Sequence, residues 1–155
     1  MAEAAMTEVL FYHLQGQKLE SVLPTLIERS LDRGWRVAVQ GASEERIDAL
    51  DAHLWTYRDD SFLPHGTWRE AEAAGQPVLL TVSEANPSAA TVRFLIESVP
   101  MPADAEGYQR LVLLFDGDDE DAVAVARSQW TEVKARGFDA TYWQPDDTGH
   151  WVKKA

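Results

Sequence analysis

Cysteine is absent from the 155-residue chain, which excludes disulfides, thiol catalysis and thiolate-bound metals and fits a reducing cytoplasm. Cations are scarce: 14 Lys and Arg stand against 26 Asp and Glu, a formal charge of −12 at pH 7. Neutralising phosphates takes an excess of cations, so direct nucleic-acid binding is not expected. No apolar run approaches the ~18 residues of a membrane span. The start, Met1 to Met6, has acid where a signal peptide needs positive charge. Met6 can serve as an alternative start, and residues 1–6 are expected to be loose. Phosphate-binding glycine loops are missing as well. The turn from His13 to Leu19 holds Gly16 alone and fits neither G-x-G-x-x-G nor the P-loop pattern. There is no G-x-S-x-G elbow. His13, His53, His65 and His150 have no metal-binding spacing, and Asp118 to Asp121 lacks the alternation of a calcium loop. No catalytic residue, cofactor or metal is expected.

What is present is ordinary globular material. Hydrophobic residues make up 45% and charged residues 26%, so the chain can build one core as a single domain over 1–155. The acid is uneven. Residues 1–103 sum to −7, residues 104–121 to −6, and residues 122–155 to +1. The acids of 118–121 read as the first turn of a helix, where negative charge complements the backbone dipole.

Val9 to Leu14 is a short apolar run rich in β-branched and aromatic residues, and reads as a strand. A helix is expected over 21–33, with Ser21 as cap, Pro24 in the first turn and Gly34 as stop. Trp35 to Gln40 is the next strand, which makes a strand–helix–strand unit of parallel-crossover size. A second helix runs from Ser43 to near Trp55, with Ile47, Leu50 and Leu54 inward. Thr56 to Gln76 looks irregular. Strands are expected at 77–82, 92–96, 110–115 and 138–144, and a helix over 118–136 closed by Gly137. The tail from Pro145 reads as polar apart from Trp151 and Val152. Helices alternating with continuous apolar strands argue an α/β fold: three layers, α/β/α, with a mostly parallel sheet, Rossmann-like but without a nucleotide-binding loop.

Two constellations remain. On the third helix Ala122, Ala126, Gln129 and Val133 share the core face, with Val125 close by, while Val123, Arg127, Trp130 and Lys134 form a second stripe. Trp130 either covers the sheet edge with the two cations lying over it, or walls a pocket for an acidic, hydrophobic peptide gripped by Arg127. The second constellation is Leu54-Trp55 followed by Ser61 to Gly66, which either plugs the core or presents an aromatic anchor. Two other readings stand beside a peptide-binding adaptor. One is a nucleotide-binding enzyme or switch on a doubly wound fold, suggested by the turn at Gly16 and Lys18. The other is an interaction domain resting on Trp55 and Phe62.

These residues, in order, resemble the chi subunit of bacterial DNA polymerase III. The resemblance runs from Val9 to about Lys154. It rests on Leu54-Trp55, on Ser61-Phe62-Leu63-Pro64-His65-Gly66, on Ala126 to Trp130 with Lys134, Gly137 and Phe138, and on Tyr142-Trp143-Gln144 with Trp151. It implies a non-catalytic, cytoplasmic accessory subunit with two partners. The psi subunit of the clamp loader would meet Trp55, Phe62 and Pro64. The acidic C-terminal tail of single-stranded DNA-binding protein would meet Arg127, Trp130, Lys134 and Gly137. Some members of that family carry lysines flanking the Arg–aromatic pair. Here those positions are Val123 and Thr131, which leaves Lys134 or Arg136 to compensate.

Overall fold

The apolar runs become strands and the amphipathic stripes become helices. A computed structural model of the protein describes residues 7–57 and 64–155. Along them run β1 (Glu8–Leu14), α1 (Leu19–Asp32), β2 (Val37–Gln40), α2 (Glu44–Thr56), β3 (Gly66–Thr67), β4 (Val78–Thr81), β5 (Val92–Leu95), β6 (Arg110–Asp116), α3 (Glu120–Ala135), β7 (Asp139–Pro145) and β8 (Trp151–Lys153). The described strands make one sheet in the order β3-β4-β2-β5-β6-β1-β7-β8. Every pairing is parallel except that of β7 with β8.

Side chains alternate across a strand, so each strand feeds two cores. Leu10, Tyr12, Val112 and Leu114 pack with Leu23 and Ile27 of α1 and Ile47 and Leu50 of α2. On the other face Val9, Phe11, Leu111 and Leu113 pack with Ala126 and Val133 of α3 and with Val99 and Tyr108 of the loop before β6. The three layers are therefore α1 with α2, the sheet, and α3 with that loop. Burying each of these large apolar side chains contributes roughly 1.5–3 kcal/mol.

The chain reverses its direction of travel between β1 and β6. From β1 it passes through α1 to β2, with β5 and β6 lying between those two strands. From β6 it passes through α3 to β7 on the opposite side. The first strand–helix–strand unit is thus a parallel crossover between strands that are not neighbours.

Four sequence expectations need correction. α1 begins at Leu19, capped by the Lys18 backbone with no side-chain bond, so Pro24 sits in its second turn. Proline has no N–H for the Glu20 carbonyl four residues back. His53 of α2 fills that place, donating from Nε2 to the Glu20 carbonyl at 2.8 Å. The segment read as irregular contains β3, and the polar tail folds back as β8. Strands of two and three residues are too short to display alternation, and they exist because β4 and β7 offer open edges. The start of α3 shifts slightly: Asp119 caps it, its carboxylate accepting from the Asp121 and Ala122 amides at 3.0 and 3.3 Å.

Candidate functional site

The core face of α3 falls where its periodicity puts it, except that Val125, expected beside it, is exposed. Ala126, Gln129 and Val133 are buried, and the Gln129 amide donates to the Val99 carbonyl at 2.9 Å. Rotated from that face, Trp130 is half-buried and Arg127 and Lys134 are exposed. The indole stands edge-on to Phe11 at 5.3 Å and to Tyr142 at 5.9 Å between ring centroids. Lys134 Nζ lies 5.6 Å from the same indole, within cation–π range. Among the described residues neither Arg127 nor Lys134 has a carboxylate within ion-pair distance. Gly137 follows the helix end with φ +82°, the left-handed turn that lets the Phe138 amide return to the Val133 carbonyl at 3.2 Å.

Arg136 is already engaged. Its guanidinium meets Glu106 at 2.8 Å and Glu132 at 3.6 Å, and lies 4.9 Å from the Phe138 ring. Lys134 is the cation left beside Trp130. Sequence reasoning placed neither ring beneath the indole, Tyr142 being named only as part of the resemblance and Phe11 only within a strand. Phe11 and Tyr142 share the α3 side of the sheet, a fact available from alternation along β1 and β7 once their pairing is known. Burial raises the Tyr142 pKa, and the Arg127 charge works against it. The Tyr142 hydroxyl donates to His13 Nδ1, which also faces the Gln144 amide at 3.4 Å, so the His13 proton sits on Nε2. Gly117 closes over that Nε2: a Cβ there would come within 2.0 Å of it.

Trp55 is on the last turn of α2, 49% exposed, with its ring 4.2 Å from that of His65. His65 is buried and its Nε2 lies 3.0 Å from an Asp51 carboxylate oxygen. Pro64, just before it, is exposed. Phe62 lies outside the described residues. The two constellations are far apart in the architecture. α2 packs on β3 and β4 on one face, and α3 packs on β6 and β7 on the other.

A third place is the crevice at the switch point between β1 and β6, about 600 Å³ in volume. Ligands of doubly wound sheets bind there by topology. Here Glu97, Asp116, Asp118 and Asp119 line it against Lys18 and Arg46. Glu97 is spent on structure: its carboxylate accepts from the Ala42 and Ser43 amides at 3.1 and 3.3 Å, anchoring the start of α2. Among the described residues no cluster of three His, Asp or Glu is placed to hold a metal ion. No described helix is long and apolar enough to cross a membrane.

A doubly wound α/β domain with an acidic switch-point crevice and an exposed cationic–aromatic stripe is the class that fold and site define. Comparison makes it specific: the chain belongs to the family described as "DNA polymerase III chi subunit, HolC", whose pattern matches residues 6–141. The family is that of an accessory subunit of a replicative DNA polymerase. A curated relative from Rickettsia prowazekii (strain Madrid E), described as "Probable DNA polymerase III subunit chi", is 26% identical over 91 residues. That match covers 59% of this chain and 55% of the relative, about half of the relative's length.

Proposed function

We propose that the protein is a non-catalytic adaptor of the replication machinery, working in the cytoplasm through proteins and not by gripping nucleic acid directly. One partner is the acidic C-terminal tail of single-stranded DNA-binding protein, held at Arg127, Trp130, Lys134 and Gly137. The other is the psi subunit, held at Trp55, Phe62 and Pro64. The observation that carries the tail reading is the pair of cations, without carboxylate partners among the described residues, flanking a half-buried indole. Arg127 takes the terminal carboxylate through paired N–H donors, Trp130 supplies an apolar wall for the last side chain, and Lys134 meets acids upstream. Opposite placement of α2 and α3 leaves room for both partners at once.

A short tail buries little surface, so a dissociation constant near micromolar, about −8 kcal/mol, is expected. Calorimetry with a tail peptide tests it. Arg127→Ala should weaken binding roughly tenfold or more, the worth of a hydrogen bond to a charged group. Unchanged affinity in that variant rejects the site. For psi, Trp55→Ala and Phe62→Ala proteins should stay folded and cease to co-purify with the subunit; unfolding of both makes them core residues and ends the interface reading. Against the nucleotide-binding alternative stands the lining of the switch-point crevice, whose carboxylates repel phosphate.

A further inference from the structure

The sheet face under α1 and α2 is not fully covered. β7 is half-buried along most of its length, and β8 beyond it is more exposed still. Where α1 ends, a pocket of about 250 Å³ opens between that helix and β1, β6 and β7. Its floor is apolar: Leu10, Leu26, Phe94 and Val112 are each no more than 8% exposed. Its rim is cationic. Arg29, in the last turn of α1, and Arg33, at its C-cap, stand one turn apart, and Arg110 comes from the start of β6. Trp143 is on the far wall. Arg110 is held by Glu8 at 2.7 Å, and both Arg33 and Arg110 lie over the Trp35 ring, at 4.9 and 5.0 Å. Arg29 and Arg33 have no carboxylate partner among the described residues. Three arginines at one mouth, with Glu8 as the paired acid, are anomalous in a chain of net charge −12.

Tyr12 makes a second, independent observation. It is nine-tenths buried and lines this pocket, and its hydroxyl has no hydrogen-bond partner among the described residues. Among the described residues the enclosed side-chain polar atom left without a partner is Ser88 Oγ, so the hydroxyl of Tyr12, a residue lining the pocket, is not sealed in protein. A buried hydroxyl is costly unless something meets it. Burial raises the Tyr12 pKa, and the charges of Arg110 and Arg29 work against it.

We propose that this pocket is a second docking site, for the C-terminal residue of a peptide, whose apolar side chain enters the floor and whose free carboxylate accepts from Arg29, Arg33 and the Tyr12 hydroxyl. The floor favours this occupant over a nucleic-acid base, because Leu10, Leu26, Phe94 and Val112 have no groups to meet a base edge. A volume of 250 Å³ suits one side chain and not a strand. A polyanion would also meet the repulsion of the whole acidic chain, whereas one carboxylate responds chiefly to the nearest arginines. The site lies on the opposite face from α3 and does not depend on the tail reading.

The test is an NMR titration of the full-length 15N-labelled chain with N-acetyl-Leu-Phe as free acid, with its C-terminal amide, and with an oligothymidylate. Indole N–H signals of Trp35 and Trp143 report this pocket, and that of Trp130 reports α3. The free acid should shift Trp35 and Trp143 saturably, and the amide should bind about tenfold more weakly. The double variant Arg29→Gln/Arg33→Gln, both exposed positions, should lose the shifts while keeping its amide spectrum; Arg127→Ala should leave them unchanged. Tyr12→Phe should weaken the acid several-fold and the amide little. Equal binding of acid and amide, undiminished binding to the double variant, or shifts confined to Trp130 would overturn the proposal. So would oligothymidylate moving the same indoles while the acid does not.

Discussion

Arg93 is wholly buried, yet among the described residues no carboxylate lies within ion-pair distance of it. Its Nε and one terminal nitrogen donate to Gln40 Oε1 at 3.0 and 2.8 Å, and the remaining donors reach the Ser83 and Ala85 carbonyls and the Tyr108 hydroxyl. The charge is solvated by neutral acceptors from β2, the loop after β4 and the loop before β6, so nothing in Val92-Arg93-Phe94-Leu95 announces it. His13 is a second case. Burial lowers its pKa below 6.5, against the weaker pull of Asp118 and Asp116. A base whose folded pKa is depressed binds its proton more readily when unfolded. Stability is therefore intact above about pH 6.5 and falls as pH drops through the unfolded value towards the folded one. Urea midpoints between pH 8 and 5 should show a steeper loss for the parent protein than for His13→Phe; identical slopes would remove His13 as the cause.

At the scale of elements, α1 depends on a neighbour for its own continuity. Pro24 opens the helix at the Glu20 carbonyl and His53 of α2 closes it. His53→Ala should cost roughly 1–2 kcal/mol, because the carbonyl loses its partner. In the Pro24→Ala background the helix can supply its own N–H, so the same change should cost less. A double-mutant cycle by chemical denaturation reads the difference, and a coupling below about 0.3 kcal/mol would show the two to be independent. α1 and α3 were legible as elements because apolar stripes and left-handed glycines, Gly34 and Gly137, bracket them. β3 and β8 were not, because their cause is a vacant sheet edge and not a local pattern. The stripe of Arg127, Trp130 and Lys134 was legible from spacing alone; the Phe11 and Tyr142 rings beneath it required β1 and β7 to be neighbours.

For the whole molecule, charge sets how the candidate tail site behaves. Arg127 and Lys134 attract an acidic peptide while the remaining surplus of acid repels it, and salt screens both. Affinity should therefore fall with salt only gently. Neutralising exposed acids remote from α3, as in Glu45→Gln/Glu72→Gln, should tighten tail binding roughly two-fold at 20 mM salt and leave it unchanged at 300 mM. A variant effect that persists at high salt would mean contact and not field, and calorimetry at both salts separates the two.

The sequence by itself determined the alternation of strands and helices, the inner faces of those helices and the absence of a phosphate loop, since these follow from local periodicity and residue chemistry. It also fixed the α3 stripe, because helical spacing is a property of neighbours in the chain. Tertiary structure alone decided the strand order, the two short edge strands and the rings beneath Trp130. It decided too the meeting of Arg29, Arg33 and Arg110 around Tyr12, residues separated by up to 98 positions and joined by the pairing of β1 with β6 and the packing of α1 on the sheet. Side-chain alternation fixes which face a residue takes; only the order of strands fixes what stands beside it.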